Sequence, residues 1–145
     1  MNRESDPNYL RGLVGARLAN KDNWVVVIAG SKEFVNFIAN RPMPMFDGAL
    51  IIRPHPVVAG DVAGHPELWV FIVAQPKETD PIEVERERRE MEEVLRVMGD
   101  VKGPIDPDQD IIVIMEPKFP RWALRLIKNY LEWIRTGEGA MEPQL

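Results

Sequence analysis

The segment Trp24-Val-Val-Val-Ile-Ala29 indicates the fold class of this chain. It is a continuous apolar run rich in β-branched residues, without the alternating polar positions of a half-exposed strand. A strand of this composition is buried on both faces, so the sequence predicts a central strand in a covered sheet. The glycine at position 30 ends the run, and the apolar spacing beyond it predicts a short helix over residues 31–40.

The other predicted elements follow from the same two signals, apolar runs for strands and helical spacing for helices. The clearest helix begins at the N-cap Asp80, which is followed by Pro81 and the capping-box residue Glu83, and it stops before Gly99. The predicted strands are 24–29, 49–52, 68–74 and 111–115, and the predicted helices are 6–20, 31–40, 81–98 and 120–136.

The predicted elements occur in the order α-β-α-β-β-α-β-α. The inner part, β-α-β-β-α-β, is the order of ferredoxin-like α/β (α+β) domains, in which two helices pack on one face of a four-stranded antiparallel sheet. We expect this sheet with additional N- and C-terminal helices on its other face, because the strands are apolar throughout. The alternative is a three-layer α/β/α sandwich with a partly parallel sheet. Either fold is a single α/β domain over residues 1–145, with loose ends at about 1–5 and 137–145.

The composition is that of a small acidic protein. Its 145 residues carry 23 acidic and 18 basic side chains, and the net charge of −5 disfavours non-specific attraction to nucleic acid or anionic membranes. The absence of cysteine excludes disulfides, a thiolate nucleophile and thiolate metal ligands. The first residues lack the apolar core of a signal peptide, and no apolar run reaches the roughly 18 residues that span a bilayer. We therefore expect a cytoplasmic protein that does not contact membranes.

Both histidines of the chain lie within residues 53–69, and each one precedes a proline. The same stretch holds Asp61 and Glu67. Imidazole and carboxylate groups are ligands of catalytic metal sites and the acids and bases of proton transfer. His55, Asp61 and His65 are therefore the candidate metal ligands of this chain, and His55, His65 and Glu67 are its candidate catalytic residues.

The length of the turn between the second and third strands decides whether these residues converge. With a two-residue turn at Gly60-Asp61, His55 lies opposite Pro66, and the two histidines point to opposite faces. With a three-residue turn, His55 lies opposite Glu67 and shares a face with His65. Prolines in the stretch remove backbone donors and make a regular ladder doubtful, so the favoured interpretation is an exposed recognition hairpin.

A glycine turn follows the first strand. The residues Gly30-Ser31-Lys32-Glu33-Phe34 resemble, over these five positions, the Gly-Ser-Arg-x-Phe turn of some nucleotide-binding Rossmann-like proteins. A hydroxyl and a lysine at a helix N-terminus suit a phosphate. The resemblance implies a nucleotide-sensing role for Gly30–Lys32, although the glycine-rich second half of that motif is missing here. The ordinary interpretation is that Ser31 is the N-cap of the helix.

The last predicted helix carries a row of basic side chains that we call the basic stripe. Its members recur every three or four residues, the spacing that aligns side chains on one side of a helix. They are Lys118, Arg121, Arg125 and Lys128, and Trp122 and Trp133 lie near the ends of the stripe. Such a stripe can contact phosphates or an acidic protein surface, or it can simply be a solvated face.

These observations favour a non-enzymatic binding or regulatory protein that uses no cofactor and no metal. We expect it to dock on a larger protein or protein–nucleic acid assembly, or to self-associate, through the 53–69 hairpin and the basic stripe. A local contact of the last helix with nucleic acid or phosphate is part of this expectation. The predicted contact residues are His55, His65, Trp69, Lys118, Arg121, Trp122, Arg125 and Lys128. The alternatives are a metal-dependent phosphoester or nucleotide hydrolase using His55, Asp61, His65 and Glu67, and a nucleotide-sensing domain using Gly30–Lys32.

Overall fold

A computed structural model describes residues 12, 14–16, 22–42, 46, 48–58, 66–102 and 111–136. It has a mixed α+β fold built on a five-stranded sheet. The elements are β1 (Asn23–Gly30), α1 (Lys32–Ala39), β2 (Leu50–Val58), β3 (Leu68–Pro76), α2 (Pro81–Arg96), β4 (Asp100–Lys102), β5 (Ile111–Met115) and α3 (Trp122–Thr136). Residues 12 and 14–16, within the first predicted helix, are also helical, whereas both predicted loose ends lie outside the described residues.

Side-chain caps set the starts of two helices where the sequence predicts them. The Ser31 hydroxyl accepts a hydrogen bond from the Phe34 amide at 3.2 Å, which makes Ser31 the N-cap of α1. The Asp80 carboxylate accepts from the Ile82 amide at 3.0 Å and caps α2, with Pro81 in the first turn. Each cap satisfies an amide that has no partner within its own helix.

The order of strands in the sheet is β2-β3-β1-β5-β4. The pairs β2–β3, β3–β1 and β5–β4 are antiparallel, whereas β1 and β5 are parallel, with Val27 opposite Val113. The predicted four-stranded antiparallel ferredoxin-like sheet is therefore not observed. The reason is β4, a three-residue strand that follows α2 and lies at the far edge of the sheet. The chain must reverse direction after β4, so β5 enters the sheet parallel to β1.

Apolar side chains cover both faces of the sheet and form two cores. Because side chains alternate along a strand, Val25 and Val27 face one core and Val26 and Ile28 face the other. The α3-side core also contains Val14 and the inner residues of α3. The α1/α2-side core contains inner residues of both other helices. Helices therefore pack on both faces of the sheet, and one strand pair is parallel. The alternative three-layer α/β/α fold has both of these features.

The N-terminal helical segment and α3 approach closely at one glycine. Gly15 is buried, and a Cβ atom at this position would lie 2.8 Å from the carbonyl oxygen of Ile134. Gly12 is exposed, and a Cβ atom there would have no neighbour within 4 Å. Both glycines weaken helix propensity, but only Gly15 permits a close contact.

Candidate functional site

The register between β2 and β3 differs from both hairpins that the sequence suggests. Ile52 lies opposite Ile72, whereas His55 lies opposite Val70 rather than opposite Pro66 or Glu67. Three residues of β2 therefore span two residues of β3, and this register shift gives His55 the face that simple alternation would give to Pro54. A second shift follows between Pro56 and Val58. The connection between the strands covers residues 59–67, so the two-residue and three-residue turns are both wrong.

The side chain of His55 is buried, with 5% of its surface exposed, and both ring nitrogens have partners. Nδ1 lies 3.0 Å from the carbonyl oxygen of Arg53, which can only accept, so Nδ1 carries the proton and donates. Nε2 lies 2.5 Å from the hydroxyl of Tyr130 on α3 and accepts from it. The network thus assigns a neutral imidazole with its proton on Nδ1.

Tyr130 is the complementary half of this buried pair. It is 4% exposed, and burial raises the pKa of its phenol well above the ordinary value of 10.0. The phenol therefore stays protonated and remains a donor to Nε2 at neutral pH. A metal would need the Nε2 lone pair, which this hydrogen bond already occupies. The geometry suits a structural link between β2 and α3 rather than an exposed partner contact.

The other residues of the predicted histidine site do not join this pair within the described residues. Glu67 is exposed in the segment that precedes β3. Asp61 and His65 lie outside the residues that the structure describes. Among those residues, no three histidine or carboxylate side chains are grouped so as to hold a metal ion.

The Gly30–Lys32 turn already holds a negative group from within the chain. The Oε1 atom of Glu116, directly after β5, accepts a hydrogen bond from the Ser31 amide at 2.7 Å. A Cβ atom at Gly30 would lie 2.6 Å from the Cβ atom of Glu116, so only glycine permits this approach. The carboxylate therefore occupies the place beside the start of α1 where a phosphate would bind.

Lys32 and Trp69 contact each other at the same end of the sheet. The Lys32 ammonium lies 5.1 Å from the centre of the Trp69 ring, within the range of a cation–π contact. Trp69 is half-buried and packs against the α1/α2-side core. Its Nε1 atom is buried and has no hydrogen-bond partner among the described residues. Trp69 therefore presents only part of its ring to a partner, and Lys32 is engaged within the chain.

All members of the basic stripe are exposed, but only Arg125 and Lys128 lie within α3. Arg121 directly precedes the helix, whereas Lys118 lies in a turn, so the helical spacing that the sequence suggests does not extend to Lys118. Within the described part of the chain, none of Lys118, Arg121, Arg125 and Lys128 forms an ion pair. Lys118 adopts a left-handed backbone conformation with φ of 66°, which is uncommon for a residue other than glycine.

Both tryptophans near the basic stripe pack against the α3-side core. The rings of Trp122 and Phe119 lie 6.2 Å apart, centre to centre, at a tilt of 55°. Their indoles therefore flank the stripe as partly buried side chains rather than as free aromatic surfaces.

The surface of α2 carries charges of both signs, and three of its carboxylates pair with arginines of the same helix. Glu83 pairs with Arg86, and Glu85 lies 3.3 Å from Arg89. Arg88 lies 3.7 Å from both Glu85 and Glu92. These exposed pairs follow the three- and four-residue spacing of helix surfaces.

Two residues that matter for these sites carry no local signal in the sequence. The spacing of α3 identifies Tyr130 as an inward-facing residue, but nothing in the sequence links it to a histidine that lies 75 positions away. Glu116 follows an ordinary apolar strand, and its role depends on the parallel pairing of β1 with β5.

No protein-family model, no curated protein and no solved structure matches the chain. No helix among the described residues is long and apolar enough to cross a membrane.

Proposed function

We propose that this chain is a non-enzymatic binding protein that docks on a larger protein assembly through the basic stripe. The observation that carries the proposal is a group of exposed cations on α3 and in the segment before it, without ion pairs to other described residues. Unpaired charges of one sign steer a complementary surface during encounter and determine its orientation. The proposal includes a regulatory role in the cytoplasm and requires no cofactor.

The inner side of α3 supports this role because it anchors the helix that carries Arg125 and Lys128. Ala123, Ile127, Leu131 and Ile134 are buried in the α3-side core, and the Tyr130–His55 hydrogen bond ties α3 to β2. Cations on an anchored helix lose less conformational freedom on binding than cations on a loose segment. Preorganisation of this kind raises affinity without additional contacts.

The hairpin contributes to the proposed docking through residues other than His55. The imidazole of His55 is buried, whereas Pro56, Pro66 and Glu67 are exposed, and His65 remains a proposed contact residue outside the described residues. Trp69 and Trp122 contribute only the exposed parts of half-buried rings.

The two alternative functions find less support in the described residues. A hydrolase would need His55 as a metal ligand, but its Nε2 atom accepts from Tyr130. A nucleotide sensor would need the start of α1 for phosphate, but Glu116 binds the Ser31 amide there. No described feature favours either alternative over docking by the basic stripe.

The proposal is tested by quantitative capture from extracts of the organism that produces the protein. The immobilised full chain is compared with Arg121→Ala/Arg125→Ala and with Arg86→Ala/Arg89→Ala, which changes the net charge equally but on α2. We expect a protein assembly to be retained by wild type and the α2 variant, and about tenfold less by the α3 variant. Equal retention by all three proteins, or none by any, would overturn the proposal.

A further inference from the structure

We infer that the occupant of the basic stripe is an acidic α-helix of a partner protein, whose carboxylates recur every three or four residues. This inference rests on the proposed function and specifies its partner. Arg121 at the start of α3 and Arg125 and Lys128 within it follow the same spacing, so two helices lying side by side bring each of these cations next to one carboxylate. Charge complementarity along the matched spacing then sets the register between the two helices.

The aromatic side chains beside the stripe argue against nucleic acid as the occupant. Single strands bind where bases stack on exposed aromatic rings between cations. Trp122 and Trp133 instead pack against the α3-side core. The chain also carries a net charge of −5, which repels a long polyanion once the short stripe is occupied.

The burial of the apolar side of α3 argues against a membrane as the occupant. A helix that lies in a membrane interface inserts its apolar side among the acyl chains. In α3 that side forms part of the α3-side core, with Ile127 and Leu131 at 0% and 3% exposure. The exposed residues of α3 that are described include Arg125 and Lys128, which are charged and do not insert among acyl chains.

The ion pairs of α2 argue against a second copy of this chain as the occupant. The carboxylates of Glu83, Glu85 and Glu92 already bind arginines of the same helix. Arg86 and Arg89 are exposed between them and would repel the basic stripe of another molecule. A partner helix without interleaved cations is a better complement.

The inference is tested with synthetic labelled peptides of about 16 residues, a length that permits helix formation. One peptide carries glutamates at alternating three- and four-residue intervals, and the control has the same composition with its glutamates distributed around the helix. Fluorescence anisotropy measures binding of each peptide to the full chain at about 50 mM and 300 mM salt. Duplex DNA, single-stranded RNA and phosphatidylserine vesicles are titrated in parallel, and sedimentation measures self-association.

We expect the aligned peptide to bind at least about fivefold more tightly than its control and to weaken at the higher salt concentration. Arg121→Ala/Arg125→Ala should weaken this binding about tenfold, whereas Arg86→Ala/Arg89→Ala should change it less than about twofold. Equal binding of both peptides, or preference for nucleic acid, vesicles or a second copy, would overturn the inference. The proposed function would still hold if capture of the assembly depended on Arg121 and Arg125, so the two failures are distinguishable.

Discussion

The Nε2 atom of His55 accepts a hydrogen bond from the Tyr130 hydroxyl, joining the edge strand β2 to helix α3 across the α3-side core. The carbonyl of Arg53 accepts from the other ring nitrogen, so the imidazole is satisfied within the protein. A histidine between two prolines at first suggests an exposed reactive group. Here it is a core residue that holds the edge of the sheet against the helix bearing the basic stripe.

Loss of the phenol hydroxyl should destabilise the protein. In Tyr130→Phe the Nε2 atom of His55 keeps its burial and loses its donor, so we expect the free energy of unfolding to fall by about 1–3 kcal/mol. Urea denaturation followed by circular dichroism measures the change. The double variant Tyr130→Phe/His55→Leu should lose less than the two single variants together, because it leaves neither the Nε2 atom nor the Tyr130 hydroxyl buried without its partner. Additive losses would contradict the hydrogen bond.

The buried phenol of Tyr130 also predicts a dependence of stability on alkaline pH. Above pH 10.0 the unfolded phenol loses its proton, whereas burial raises the pKa of the folded phenol and preserves the proton there. The unfolded state then binds fewer protons, so stability should fall by about 1.4 kcal/mol per pH unit above that value. Below pH 10.0 the phenol is protonated in both the folded and the unfolded state, so its contribution to stability is fully present. Tyr130→Phe should lack this component, and an identical alkaline profile in both proteins would refute the assignment.

The central strands and the helix caps could be predicted from the sequence because their signals are local. The run from Trp24 to Ala29 lies within β1, and Ser31 and Asp80 cap the helices that follow them. These features depend on composition and on contacts within a few residues. They require no knowledge of how the strands are ordered.

The features that could not be predicted depend on long-range pairing. β4 has only three residues, too few for a periodic pattern, and it exists because it pairs with β5. The register of β2 depends on two shifts near Pro54 and Pro56, and a shift by one residue changes the face on which a side chain lies. The alternation of side chains along a strand does not reveal such register shifts in the sequence. The buried environment of His55 and its contact with Tyr130 could therefore not be predicted from the sequence.

Removal of the Glu116 carboxylate should destabilise the start of α1. The Ser31 amide would lose its acceptor, and the positive end of the helix would lose a compensating charge, so Glu116→Ala should reduce stability by about 1–2 kcal/mol. Glu132→Ala, at an exposed position of α3, is the matched control and should change stability by less than about 0.5 kcal/mol. Thermal and urea unfolding measure both variants. Equal effects of the two substitutions would show that the contact with Ser31 contributes nothing specific.

Two glycines of the N-terminal helical segment should respond in opposite directions to the same substitution. Gly12→Ala adds a methyl group in open space and improves helix propensity, so we expect a gain of about 0.5–1 kcal/mol. Gly15→Ala places that group 2.8 Å from the Ile134 carbonyl oxygen and must displace the backbone of α3. The resulting overpacking should cost about 1–3 kcal/mol despite the same gain in propensity. Urea unfolding of both variants checks the signs, and a stabilising Gly15→Ala would show that the two helices do not pack closely at this position.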